Sequence, residues 1–115
     1  MNRCSYMLIY KRCDCADKTT LNKSIQVTSS SLADLLKIIA VPTRLEILLL
    51  LEEKGHCVCD IETHTKLSQS LTSHHLADLA GAGLIESYKQ GKFVHYKLTN
   101  KGQALVKNLK QINDN

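Results

Sequence analysis

Apolar residues recur at helical spacing through Leu32, Leu35, Leu36 and Ile39, with Ser31 a candidate N-cap. Pro42 breaks that run and suits the first turn of a second helix. There Leu45, Ile47, Leu48, Leu49, Leu50 and Leu51 are apolar most of the way round, and Glu52-Glu53-Lys54-Gly55 closes it. A short helix follows, to about Thr65. The next begins three residues later, with Ser68 as its N-cap and Gly81 and Gly83 at its end. At about 100° per residue, Leu71, Thr72, His75, Leu76 and Leu79 fall on one side of this fourth helix, and Ser70, Ser73, His74 and Ala77 on the other. Residues 85–89 read as a strand, Gln90-Gly91-Lys92 as a turn, and residues 93–98 as a second strand. Asn100 or Thr99 caps a last helix carrying Leu105, Leu109 and Ile112. The chain is therefore expected to be mainly α with a small β-hairpin, about five helices and a two-stranded wing.

Two short helices joined by a tight turn, followed by a hairpin, form a winged helix-turn-helix. The outer side of the fourth helix is small, polar and nearly uncharged, whereas a solvated side would carry Lys and Glu. Such a surface can approach a major groove closely. Ser68, Gln69, Ser70, Ser73 and His74 are its candidate DNA contacts, and Lys66, Lys89 and Lys92 are candidate phosphate contacts. The competing readings are a core helix with a sparse outer side, and lysines that serve solubility. His75 is expected to be a hydrogen-bonded core residue rather than a DNA contact. The first and last helices each carry an apolar stripe, and pairing them in a homodimer would cover both.

Composition adds less. At 115 residues with net charge +4, the chain is one mildly basic domain, compatible with a phosphate partner. No run is long enough to span a bilayer. No small-residue cleavage site follows the apolar patch Tyr6-Met7-Leu8-Ile9-Tyr10, so a cytoplasmic protein with no membrane partner is expected. Residues 1–30 lack periodicity and are expected to form a flexible arm with cysteines, residues 19–31 serving as a Ser/Thr-rich linker to a domain spanning 31–115. Five cysteines, four of them in two Cys-X-Cys pairs, suit a reduced protein that uses thiolates better than a disulfide scaffold.

Cys57 and Cys59 stand at the start of the short third helix, where the helix dipole is expected to lower a thiol pKa. Thiolates select As(III), Cd(II), Pb(II), Zn(II) or Cu(I) over harder ions. Residues two apart in a regular helix point about 200° from one another, so sharing one ion requires a distorted turn. Two sulfurs also leave the shell short, since zinc and cadmium want about four ligands. The competing reading makes the pair buried small hydrophobes. His56 is expected to be a solvated turn residue. No catalytic constellation is present, and the chain is not expected to be an enzyme.

Residues 32–98 resemble the ArsR/SmtB family of metal-responsive winged-helix repressors. The likeness lies in Pro42-Thr43-Arg44-Leu45-Glu46-Ile47-Leu48, His56-Cys57-Val58-Cys59-Asp60-Ile61, Leu67-Ser68-Gln69-Ser70, Ser73-His74-His75-Leu76, Ala82-Gly83-Leu84-Ile85 and Gly91-Lys92-Phe93-Val94-His95-Tyr96. It implies a homodimer that binds an inverted-repeat operator in double-stranded DNA and releases it when a toxic metal or metalloid binds. In the cadmium- and lead-sensing members, arm cysteines of one subunit join the Cys-Val-Cys pair of the other, which implies Cys13 and Cys15 here, with Cys4 spare. Four departures stand out: Val41 where an acidic or amide cap is usual, Thr72 where Val or Ile is usual, Glu62 where arsenic sensors carry a third cysteine, and no His over residues 99–115 to build the zinc sensors' last-helix site. Two alternatives remain: a thiol redox regulator on the same fold, and a thiol-rich metal carrier that binds no DNA.

Overall fold

A computed structural model describes residues 19–114, and side chains over 23–114. Cys4, Cys13 and Cys15 lie outside the described residues. The chain divides into two units at the boundary between Asp34 and Leu35. Helix α1 runs Thr19–Ile39, so residues 19–31 are helix rather than linker, and Ser31 lies inside the helix rather than capping it. The sequence has no Gly or Pro between Thr19 and Val41. Ser and Thr cost a helix only a few tenths of a kcal/mol each. Ser29 shows how they are accommodated, its hydroxyl donating to the Gln26 carbonyl oxygen at 3.2 Å.

In the second unit, α2 spans Pro42–Glu53 with Pro42 in its first turn and no side-chain cap from Val41. A two-residue strand β1 (His56–Cys57) leads into α3 (Val58–Thr65), and α4 spans Gln69–Gly81. The wing is β2 (Ile85–Gln90) and β3 (Phe93–Leu98), antiparallel with Gln90 opposite Phe93. Gly91 takes a φ of 66° at the first central position of the turn, where a twisted two-residue hairpin favours glycine. Helix α5 closes the chain at Asn100–Asp114. The five helices and the hairpin of the sequence reading are present. The strand β1 is additional: it joins the far side of β3, giving the order β1-β3-β2.

The core gathers Ile47, Leu48 and Leu51 from α2, Ile61 from α3, Leu76 and Leu79 from α4, Leu84, Ile85 and Leu98 around the wing, and Val106 from α5. Burying each such side chain stabilises by about 1.5–3 kcal/mol. Thr99 holds the wing to α5. Its hydroxyl accepts from the Gly102 N–H at 3.1 Å, capping the helix, and donates to the Gly83 carbonyl oxygen at 2.6 Å. Gly102 lies so near β2 that a Cβ there would stand 2.1 Å from the Leu84 oxygen.

Candidate functional site

Helix α4 presents the polar side that its sequence foretold. Ser68 has extended backbone angles and its hydroxyl accepts from the Leu71 N–H at 3.2 Å, so it caps the helix. Gln69, Ser70, Ser73, His74 and Ala77 are exposed, while Thr72, Leu76 and Leu79 are buried. Leu71 departs from expectation. It is 50 % exposed, because the helix turns Thr72 to the centre of its inner side and leaves Leu71 about 100° away. The preceding turn bends at Lys66, an exposed residue with left-handed angles (φ 60°, ψ 28°), whose N–H donates to the Glu62 oxygen at 2.8 Å. Lys89 and Lys92 are exposed on the wing.

The inner edge of α4 carries a network that the sequence reading did not foresee beyond a bonded His75. Arg44, the third residue of α2, donates through Nε to His75 Nδ1 at 3.0 Å and through Nη1 to the Ile38 carbonyl oxygen at 3.0 Å. Its Nη2 pairs with Asp78 Oδ2. The same carboxylate oxygen lies 3.4 Å from Nε2 of His74 on the outer side. Burial lowers the His75 pKa, and the Arg44 charge lowers it further, so the imidazole is held neutral and able to accept.

The thiol cluster forms where β1 meets α3. Cys57 is not within the helix: it is the N-cap, with extended angles (φ −77°, ψ 162°), and Cys59 is the second helical residue. That placement removes the 200° conflict of a regular helix. The sulfurs of Cys57 and Cys59 and a carboxylate oxygen of Asp60 all lie within 4.8 Å of one another. A tetrahedral ion with metal–sulfur bonds of about 2.3 Å holds its ligands about 3.8 Å apart, so the three donors fit one ion after closing by at most about 1 Å. Asp60 was overlooked as a donor, although the Cys-Val-Cys-Asp tetrad contains it.

Cys57 is buried and its Sγ accepts from the Asp60 N–H at 3.3 Å, while Cys59 is exposed. The Cys57 thiol is pushed up rather than down: its hydrogen bond with Cys59 and its burial outweigh the Asp60 N–H. The helix dipole does not decide the matter, because the sulfur is buried beside its neighbouring thiol. His56 is also not the solvated turn residue expected. Its place on β1 opposite Tyr96 half-buries it, with Nδ1 3.6 Å from Asp60 Oδ2 and Nε2 buried without a partner.

One groove of about 450 Å3 joins these parts. Cys57, Cys59 and Glu62 form one wall, Gln69 and Ser73 of α4 another, and Lys92, Phe93, Val94 and Tyr96 of the wing the third. Thus the thiols lie beside two of the candidate DNA contacts on α4 and one on the wing.

Comparison with known proteins agrees with this geometry. The family model described as "Bacterial regulatory protein, arsR family" matches residues 41–87. The arsenical resistance operon repressor of Escherichia coli K12 is 53% identical over 66 residues, 56% of this chain and 56% of that protein. The match therefore spans little more than half of that relative's length. The cadmium resistance transcriptional regulatory protein CadC of Listeria innocua is 36% identical over 80 residues, 69% of this chain and 67% of that protein. Among solved structures, reduced HlyU from Vibrio cholerae superposes with a TM-score of 0.70 at 31% identity, covering 78% of this chain and 96% of that one.

Proposed function

The chain belongs to the ArsR family of bacterial regulatory proteins, and from that premise we propose that it is a transcriptional repressor that releases its operator when a thiophilic ion binds Cys57 and Cys59. The observation that carries this reading is the shared groove, in which the two sulfurs lie beside Gln69, Ser73 and Lys92. Ser68, Gln69, Ser70, Ser73 and His74 read the major groove, with Gln69 suited to adenine. Lys66, Lys89 and Lys92 bind phosphates. The inducer is As(III), Cd(II), Pb(II) or Zn(II), in keeping with what the arsenical and cadmium resistance relatives are named for. Cys13 and Cys15 of a second subunit complete a shell of four thiolates, with Asp60 beside it as an alternative oxygen donor.

The active form is a homodimer. Ile25, Leu32 and Leu36 on α1 and Ile112 on α5 are more than half exposed, apolar surface that a second copy would cover. A two-fold axis then sets two reading helices one turn of DNA apart, matching an inverted repeat. No helix of the described residues is long and apolar enough to cross a membrane, and we place the protein in the cytoplasm.

Fluorescence anisotropy on a labelled inverted-repeat duplex tests the reading. Tight, salt-dependent binding that weakens on adding arsenite, Cd(II), Pb(II) or Zn(II), and no longer does so in Cys57→Ser/Cys59→Ser, is the expected result. Binding indifferent to all four would overturn the metal-responsive part. Thiolate-to-metal charge-transfer absorption, repeated with Cys13→Ser/Cys15→Ser, tests the arm ligands.

A further inference from the structure

The reading helix must be held at one pose for its side chains to meet base edges, because a displacement of an ångström breaks a hydrogen bond. Packing of Thr72, Leu76 and Leu79 presses α4 against the core, and hydrogen bonds on its inner edge add direction to that packing. The directional contacts on its inner edge are those of Arg44. That side chain is 11 % exposed and ties three elements: the last turn of α1 through the Ile38 carbonyl, α2 by its own backbone, and α4 through His75 and Asp78. The Asp78 carboxylate in turn meets His74 on the DNA-facing side.

We propose that Arg44 is a positioning residue for DNA binding, fixing the pose of α4 through His75 and Asp78, and that it does so only while His75 is uncharged. This rests on α4 being the helix that enters the major groove. The dependence on His75 follows from donor and acceptor identity. A guanidinium only donates, so Nδ1 must offer its lone pair. Once that nitrogen is protonated, two donors and two positive charges face each other at 3.0 Å. The groups facing the ring are Arg44 from α2, His74 and Asp78 from its own helix, and, through Arg44, the uncharged Ile38 carbonyl of α1. Among the described residues, α3 and β2, which also pack on α4, place no hydrogen-bonding partner on the ring. Asp78 partly offsets the new charge, but it already holds Arg44 and does not restore the lost acceptor.

The test uses full-length protein and a labelled duplex that wild type selects from a random-sequence pool, with affinity measured from pH 8.0 to 5.5. His75→Asn places a non-titrating carbonyl oxygen near the former Nδ1 position, so it keeps the acceptor and removes the proton switch. Wild type and His75→Asn are expected to bind within about threefold of each other at pH 8.0, and wild type to fall increasingly behind toward pH 5.5, by a part of the about tenfold that full protonation, the loss of one charge-assisted hydrogen bond, would bring. Because the lysines are common to both proteins, taking the ratio removes their effect, and repeating both in a His74→Asn background removes that of His74, whose charge acts on His75. Arg44→Gln is expected to lose about tenfold at pH 8.0 while keeping its far-ultraviolet circular dichroism and its Cd(II)–thiolate absorption. Arg44→Lys, able to reach one partner, falls between. A ratio of wild type to His75→Asn that stays flat across pH, or a folded Arg44→Gln that binds like wild type, would overturn this inference and leave the repressor reading standing. Failure of wild type to select any duplex would overturn both.

Discussion

Thr72 offers a sharp test of how the reading helix is built. It is 0 % exposed, at the centre of the inner side of α4, and its hydroxyl is buried with no hydrogen-bond partner. Threonines elsewhere in the fold avoid this: Thr63 and Thr65 on α3 each donate to the carbonyl four residues back, both at 2.9 Å. A stranded buried hydroxyl costs about 1–3 kcal/mol. Thr72→Val replaces it by a methyl group of similar size, removing that cost. Full burial leaves little slack, and the slightly larger methyl returns part of the gain as crowding. The net expectation is a stabilisation of about 1–2 kcal/mol, which for a domain of this size raises the thermal midpoint by about 4–8 °C per kcal/mol. Urea unfolding at fixed protein concentration reads the same difference as a shifted midpoint with an unchanged slope. Thr72→Ser is the control: it keeps the hydroxyl, removes the methyl, and should cost about 1 kcal/mol. A Thr72→Val protein no more stable than wild type would refute the stranded hydroxyl and show that Oγ1 is satisfied, by water or by the Ser68 carbonyl.

Other consequences are equally direct. Gly102→Ala drives a Cβ to 2.1 Å from the Leu84 oxygen, which is backbone and cannot swing aside, so the urea midpoint should report a loss of about 1–3 kcal/mol or more. The raised pKa of Cys57 means that an incoming ion displaces a proton there, so Cd(II) affinity read from thiolate absorption should fall as pH drops from 8 to 6, less steeply in Cys57→Ser. Replacing Lys66, Lys89 or Lys92 by Ala should weaken DNA binding alike on all sequences and lower the slope against log salt by about 1 each, whereas Gln69→Ala should relax sequence preference without changing that slope.

What could be read in advance was local. Ser68 as a cap, Pro42 in a first turn, Thr99 ahead of α5 and Gly91 in the wing turn are each decided by residues a few positions apart, and each stands where its chemistry put it. The small, polar outer side of α4 was legible for the same reason, since 3.6-residue periodicity carries it. The failures were non-local or cumulative. Strand β1 exists because His56 and Cys57 find β3 some forty residues on, and no local period announces a two-residue strand. Its formation decided the geometry of the site, for it made Cys57 an N-cap and half-buried His56. Arg44 reaches partners 31 and 34 residues away, so its role was invisible in a motif read only as a helix start. The extra turns of α1 were missed because Ser and Thr clusters look like linker, although nothing among them breaks a helix.

The placement of the thiols also bears on how much an inducer can do. Moving a repressor from 99:1 to 1:99 in favour of the DNA-free form requires about 10⁴-fold preference of the ion for that form. An ion touching only exposed side chains could not discriminate so strongly, because both forms would present them alike. Here one sulfur is anchored and the other is not: Cys57 is buried and paired through its backbone with His95 of the wing, while Cys59 rides on the exposed first turn of α3. In the proposed reading, drawing the donors together by at most about 1 Å shifts the first turn of α3 against the sheet. Ile61, two positions past Cys59, is packed in the same core as Leu76 and Leu79 of α4, and only Lys66, Leu67 and Ser68 separate the two helices. A shift of α3 would thereby reach α4 through this shared core, and the wing through β1. In the proposed reading, the ion gains its preference from this strain. Val58→Gly, which loosens the first turn of α3 while leaving both sulfurs and the DNA contacts in place, should then keep Cd(II) binding and DNA binding but reduce the effect of one on the other. Undiminished coupling in that variant would place the transmission elsewhere.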